Sequence, residues 1–157
     1  LQLFLDDTPS ICIRQVRSIC RKLQLEGKLD LVVVDYLQLV SGDGHFENRV
    51  QEVSFLSRQF KLLARELNVP ILVAAQLSRA VEQRADKRPV LSDLRESGSI
   101  EMDADVVMFI YHLEDLRSSC QVDLMVAKQR NGPTGSVRLL FEKRFGMFQD
   151  IQKEGGR

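Results

Sequence analysis

No stretch of the form Gly-x-x-x-x-Gly-Lys-[Ser/Thr] occurs anywhere in the 157 residues. That pattern is the backbone cradle for nucleotide phosphates, so the chain read alone has no means of gripping a triphosphate tightly. Net charge is missing too, because 22 lysines and arginines balance 22 acids. A protein that coats nucleic acid through a general positive field is therefore disfavoured, and any such contact must come from a local patch. Cys12, Cys20 and Cys120 are odd in number and lack C-x-x-C spacing. This argues against a disulfide framework or a zinc site and fits a reducing cytoplasm. No apolar run approaches the length of a membrane span. The opening Leu-Gln-Leu-Phe-Leu-Asp-Asp has neither the positive region nor the cleavage site of a signal peptide. Without an initial Met, and starting in an apparent strand, the chain is expected to be a piece of something longer.

The 44% apolar content is enough to bury a core, and the length suits one domain or part of one. Leu1–Leu5 reads as a short strand stopped by Asp6-Asp7-Thr8-Pro9. Thr8 is a candidate helix cap, unless the helix starts a few residues later. Ile13, Val16, Cys20 and Leu23 recur at helical spacing up to Leu25, with Gly27 as a stop. Leu31–Asp35 is a continuous apolar run closed by a carboxylate, which suits a parallel strand covered on both faces. A long helix over Asn48–Leu67 carries one stripe, Val53, Leu56, Phe60, Leu63 and Leu67, and must dock on a sheet. Ile71–Ala75 is a second buried strand, closed by Gln76. Ser78–Ser99 has no sustained apolar period and reads as a long functional loop with a helical turn near Ser92–Leu94. Ile100–Asp103 is another short turn. Val106–Tyr111, Val122–Ala127, Val137–Glu142 and Met147–Ile151 are strands, the last three joined by turns at Asn131–Gly135 and around Gly146. The order predicts an α/β layered core over residues 1–151 with an antiparallel end, followed by a polar tail at 152–157.

Asp35 and Gln76 end successive predicted strands. If those strands are parallel neighbours, both side chains reach the carboxyl edge of the sheet, where α/β proteins bind ligands. An aspartate there can hold the water shell of a nucleotide-bound magnesium, and a glutamine can sense a phosphate by hydrogen bonding. The plainer alternative, a turn-capping acid and a solvated amide, is the common outcome for either residue alone. Arg79, Arg84, Lys87, Arg88 and Arg95 supply phosphate-seeking cations to the following loop, and Gly98 permits close backbone approach. The acids interleaved among them equally suit a solvated loop. The loop has no aromatics to stack on bases, so a strand bound there is held by its backbone. Lys128 and Arg130 sit before a Gly-Pro turn. They are either exposed hairpin cations or a finger that reaches a neighbouring subunit's nucleotide.

Five blocks then stand out: Asp35-Tyr36-Leu37-Gln38-Leu39, Ala75-Gln76-Leu77-Ser78-Arg79, Glu82 to Pro89, Ser92 to Glu101, and Lys128-Gln129-Arg130-Asn131-Gly132-Pro133. In this order and spacing the chain, from Leu3 to about Phe148, resembles the C-terminal domain of the bacterial replicative helicase DnaB. The resemblance implies an incomplete RecA-like P-loop NTPase core, mostly parallel and flanked by helices, with an antiparallel C-terminal hairpin region. It also implies a homo-hexamer with ATP and Mg2+ at subunit boundaries, single-stranded DNA as track, and primase and a helicase loader as partners. The setting would be the bacterial cytoplasm, or a plastid.

On this resemblance Asp35 matches the Walker B metal-ordering aspartate, and Gln76 the glutamine that couples nucleotide state to DNA contact. Lys128 and Arg130 match the cations that reach a neighbour's ATP, while Arg95, Glu96 and Gly98 match the loop that holds the DNA backbone. The family's P-loop and water-activating glutamate precede residue 1 in this pattern. The piece itself is therefore expected to be inactive, whereas the parent hydrolyses ATP. The competing expectations are a non-catalytic DNA-binding or ring-assembly module and a RecA-type recombinase.

Overall fold

The apolar repeat after Asn48 forms one continuous helix, α2 (Arg49–Leu67). Asn48 caps it by accepting a hydrogen bond from the Gln51 N–H at 3.0 Å. Asn68 ends it in the left-handed region at φ 51°, a conformation asparagine tolerates better than most residues. The computed structural model describes residues 2–94, 98–112 and 120–151. They divide into two compact units, Leu1–Leu77 with Leu94–Ala104, and Ser78–Asp93 with Asp105–Arg157.

In the first unit, Val53, Leu56, Phe60, Leu63 and Leu67 are all buried. They pack with α1 (Ile13–Leu25) against β1 (Val32–Val34) and β2 (Ile71–Val73). The strands pair in parallel, Val32 opposite Ile71 and Val34 opposite Val73. These four inward residues contact the α2 stripe, and Val16 and Cys20 of α1 complete the cluster. The other face of the pair departs from the expectation of cover on both sides, since Val33 is 61% exposed and its partner Leu72 is 48% exposed. An all-valine strand reports apolarity on both faces but not what covers each. Helix α1 is also clamped to α2 by charge: Glu66 receives Arg21 at 2.5 Å and Arg17 at 3.6 Å.

One expectation for the first residues is corrected. Residues 2–8 form no strand, and Leu3 is 74% exposed. An extended segment gains no ladder without a neighbour, and none pairs with it among the described residues. Of the two helix starts left open, Thr8 or a few residues later, the structure shows the later one. The Thr8 N–H bonds Asp6 Oδ1 at 3.0 Å, and the helix opens at Ile13, where the Cys12 N–H donates to Gln15 Oε1 at 3.0 Å.

Helix α3 (Gly98–Asp103) occupies what was expected to be a turn. Its side chains are tied to α2: Ser99 Oγ donates to Ser54 Oγ at 2.9 Å, and Asp103 accepts from Ser57 Oγ at 3.1 Å and from Arg58 at 3.4 Å. The second unit is an antiparallel sheet in the order β3 (Val106–Tyr111), β4 (Gln121–Gln129), β5 (Gly135–Glu142) and β6 (Met147–Asp150). Gly146, between the last two strands, adopts φ 60°, which favours glycine. On β3, Val107 and Phe109 are buried while Val106, Met108 and Ile110 are exposed, the two-residue alternation of a strand. Short 3-10 turns at Arg79–Gln83 and Leu91–Asp93 punctuate the remaining segment.

Leu63 is fully buried, whereas its neighbour Leu62 is 40% exposed. Leu63→Ala is expected to lower stability by about 2–5 kcal/mol through cavity formation, and Leu62→Ala by less than about 1 kcal/mol. Urea unfolding followed by helical circular dichroism measures both.

Candidate functional site

Parallel pairing brings the carboxyl ends of β1 and β2 to one edge, and Asp35 and Gln76 line the same open crevice with Tyr36, Ala74 and Ala75. Both side chains are exposed. The ladder continues past the strands: the Ala74 N–H donates to the Val34 carbonyl at 2.9 Å, and the Leu37 N–H to the Ala74 carbonyl at 2.8 Å. Gln38 joins the two segments. Its side-chain oxygen accepts from the Gln76 N–H at 3.5 Å, and its backbone carbonyl accepts from Arg49 at 2.8 Å. Arg49 in turn pairs with Glu52 at 2.5 Å. The Gly42 N–H, donating to Glu52 at 3.0 Å, is the main cause holding that carboxyl below its ordinary range. Gly42 itself lies under the Phe46 ring, where an added Cβ would come within 2.5 Å of ring carbon. Reasoning from residue types missed Gln38. Its only signal was membership in the Asp35–Leu39 block.

An exposed carboxylate beside an amide can order water around a divalent cation and hydrogen-bond a phosphate. No group of three or more candidate metal-binding side chains occurs among the described residues. A single exposed carboxylate is compatible with a hard cation that takes its other ligands from phosphate oxygens and water.

The cations of the 78–93 segment, all in the second unit, have unequal surroundings. Arg79 is exposed on a turn capped by Ser78, whose Oγ accepts from the Ala80 N–H at 3.2 Å. Lys87 sits at φ 45°, and Arg88 directs one nitrogen to Met125 Sδ at 3.3 Å. Arg84 is held from within the protein. Its guanidinium forms a two-point pair with Asp93, one contact being 2.8 Å, and also donates to the Arg88 carbonyl at 2.9 Å. Asp93 is only 3% exposed and accepts further from the Val90 N–H at 2.8 Å. Its own carbonyl receives the Ser78 N–H at 2.8 Å. The Arg84 hydrogen bonds, then the Val90 N–H, hold the Asp93 carboxyl below its ordinary range. Arg95 and Glu96 lie outside the described residues. Gly98 opens α3 with no atom within 4 Å of where a Cβ would be.

Lys128 is not on a turn as expected. The ladder with β3 carries β4 through Gln129, which puts Lys128 opposite Val107 and half-buried. Arg130 follows the strand. Its N–H donates to the Asp105 carbonyl at 2.8 Å, and its guanidinium lies 3.6 Å from the Asp105 carboxylate, both side chains being about half exposed.

Residues 1–150 match the family described as DnaB-like helicase C terminal domain. The chain belongs to that family. It is 50% identical to the replicative DNA helicase DnaB of Geobacillus stearothermophilus, the match covering 96% of this chain and 34% of that one. It is 47% identical to the replicative DNA helicase DnaC of Bacillus subtilis over the same shares. The chain thus spans about a third of the length of these relatives. Among solved structures, a DnaB-like replicative helicase studied with its primase interactions is similar at a TM-score of 0.87 and 39% identity, over 94% of this chain and 36% of that one. A solved ATPase domain is similar at a TM-score of 0.85 and 40% identity, over 91% of this chain and 52% of that one. The fold is therefore that of a RecA-like ATPase domain. Among the described residues no helix is long and apolar enough to cross a membrane.

The Asp93 carboxyl is depressed when folded, so its contribution is present above the ordinary carboxylate value of about 3.9 and is lost as pH falls through the lower folded value. Asp93→Asn is expected to lower the thermal midpoint at neutral pH. The gap from wild type should narrow as pH drops below about 4. Melting curves of both proteins across pH 7 to 2 test this, and a gap that stays constant would contradict it.

Proposed function

We propose that this domain is the motor part of a replicative DNA helicase. It couples ATP hydrolysis to movement along single-stranded DNA in the bacterial cytoplasm, as a homo-hexamer that works with primase and a helicase loader. The observation that carries the reading is the crevice shared by Asp35 and Gln76 in a chain of this family. The solved relative studied with primase supports the partner assignment. In this reading the phosphate cradle comes from residues beyond these 157.

Asp35 would hold a nucleotide-bound magnesium through its water, and the ion would supply neutralisation of charge on the phosphoryl oxygens. Gln76 hydrogen-bonds near the terminal phosphate, and its backbone leads directly into the 78–93 segment, so loss of that bond is transmitted along the chain. Lys128 and Arg130 act in the neighbouring copy's site, where they stabilise charge on the phosphoryl group in transfer. Arg130 is suited to this by its guanidinium, which can stabilise charge on a phosphoryl group, and by its place just past the end of β4. Arg79, Lys87, Arg88 and Arg95, with the backbone around Glu96 and Gly98, hold DNA phosphates without reading sequence.

Arg130→Ala in the complete gene product is expected to reduce ATP hydrolysis by about 10³-fold or more, with nucleotide affinity changed far less. Steady-state turnover beside fluorescent-nucleotide titration separates the two. Retained turnover removes the finger assignment.

A further inference from the structure

Arg84 carries the same charge as the cations around it but is differently placed. We infer that Arg84 is a positioning residue, clasped to Asp93 so as to set the segment that enters the DNA-holding loop, and not itself a DNA contact. The inference rests on the reading of residues 95–98 as that loop.

Arg84 makes its two-point pair with a carboxylate that is 3% exposed. A buried carboxylate deprived of its partner is strongly unfavourable, so Arg84 cannot turn to a phosphate without exposing or stranding Asp93. The pair is neutral as a whole and attracts a phosphate little. Its other contacts point inward and fold the segment on itself: Arg84 to the Arg88 carbonyl, the Val90 N–H to Asp93, and the Ser78 N–H to the Asp93 carbonyl. The last of these joins the residue two after Gln76 to the residue two before Arg95. The clasp thus closes residues 78–93 into a loop whose two ends are the exits toward the phosphate-sensing amide and the DNA-holding segment. The acid that Arg130 pairs with, Asp105, is by contrast half-exposed and 3.6 Å away. The burial of the paired acid separates the two arginines where composition does not.

The two roles predict opposite signs for Asp93→Asn. If Arg84 touched DNA, removing the acid beside it would free the guanidinium and tighten binding. If Arg84 positions the loop, removing the acid weakens binding. The test titrates labelled oligo-dT against the complete gene product over a range of NaCl, together with DNA-stimulated ATPase assays. Arg84→Ala, Arg84→Lys and Asp93→Asn are each expected to weaken binding about tenfold. Lysine fails because it cannot make the two-point pair. The double variant Arg84→Ala with Asp93→Asn, which leaves no buried charge, should be no weaker than either single change. The salt slope should stay at the wild-type value, because no phosphate contact is lost. The DNA concentration for half-maximal stimulation should rise about tenfold while kcat at saturating DNA stays within about twofold, a split that general misfolding would not produce.

Tighter or unchanged binding by Asp93→Asn, or a slope reduced by about one ion for Arg84→Ala, overturns the inference. Arg95→Ala serves as the control. If it weakens binding while the clasp variants do not, only the clasp assignment falls; if it too leaves binding intact, the loop reading falls and this inference with it.

Discussion

Burial of a single stripe, Val53 to Leu67 of α2, is the constraint on which the candidate site depends. The stripe touches the inward valines and isoleucine of both β1 and β2. A helix lying across two strands it connects requires a parallel crossover, because the chain must return to the same end of the sheet before starting the second strand. Parallel strands share a carboxyl edge. Asp35 and Gln76 therefore meet in a crevice as a consequence of packing some distance from either residue. Each fully buried leucine in the stripe contributes roughly 1.5–3 kcal/mol, far more than the single 3.5 Å contact between Gln38 and the Gln76 N–H. The core decides where the two chemical groups lie, and the local hydrogen bonds trim their orientation.

Periodicity made most of the fold legible. Spacings of three and four identified α2 and its core residues, and alternation or continuous apolarity identified β3 to β6 within two residues. What periodicity does not encode is partnership. Leu1–Leu5 has strand composition, but its described residues, 2–5, have no pairing neighbour among the described residues and form no strand. Val33 has a core composition and lies on an exposed face. In both places the missing information is the identity of another segment. The extension of β4 through Lys128 was hidden for a related reason: a lysine and a glutamine at a strand end look like turn residues until the register with Val107 and Val106 is known.

The candidate site was legible to a different depth. Asp35 and Gln76 end successive apolar runs, and in an α/β chain it is that shared position, not either residue alone, that points to the ligand-binding edge. The arginines of the 78–93 segment end nothing. Their charge is visible and their partners are not, so Arg79, Arg84, Lys87 and Arg88 were read alike. Asp93, the acid that distinguishes one of them, looked like one more solvated charge, although it is among the most buried polar groups described. Gln38 was passed over because an amide inside an apolar block has no ionic chemistry to advertise.

The zero net charge, an argument against coating nucleic acid through a general positive field, is better understood through these pairings. Acids such as Asp93 and Glu66 are committed to arginines that organise the fold, and each such pair is neutral in itself and places no net charge on a binding surface. Overall balance is thus compatible with a local excess wherever cations lack buried partners. Strength of pairing then sorts the arginines by role. A two-point bond to a buried carboxylate fixes geometry, because breaking it strands a charge. A contact such as Arg130 with Asp105, at 3.6 Å between two half-exposed side chains, fixes geometry far less. In the proposed reading both kinds have a use, since a loop that grips must be shaped before it binds, and a residue that crosses to a neighbour must not be locked to a buried acid.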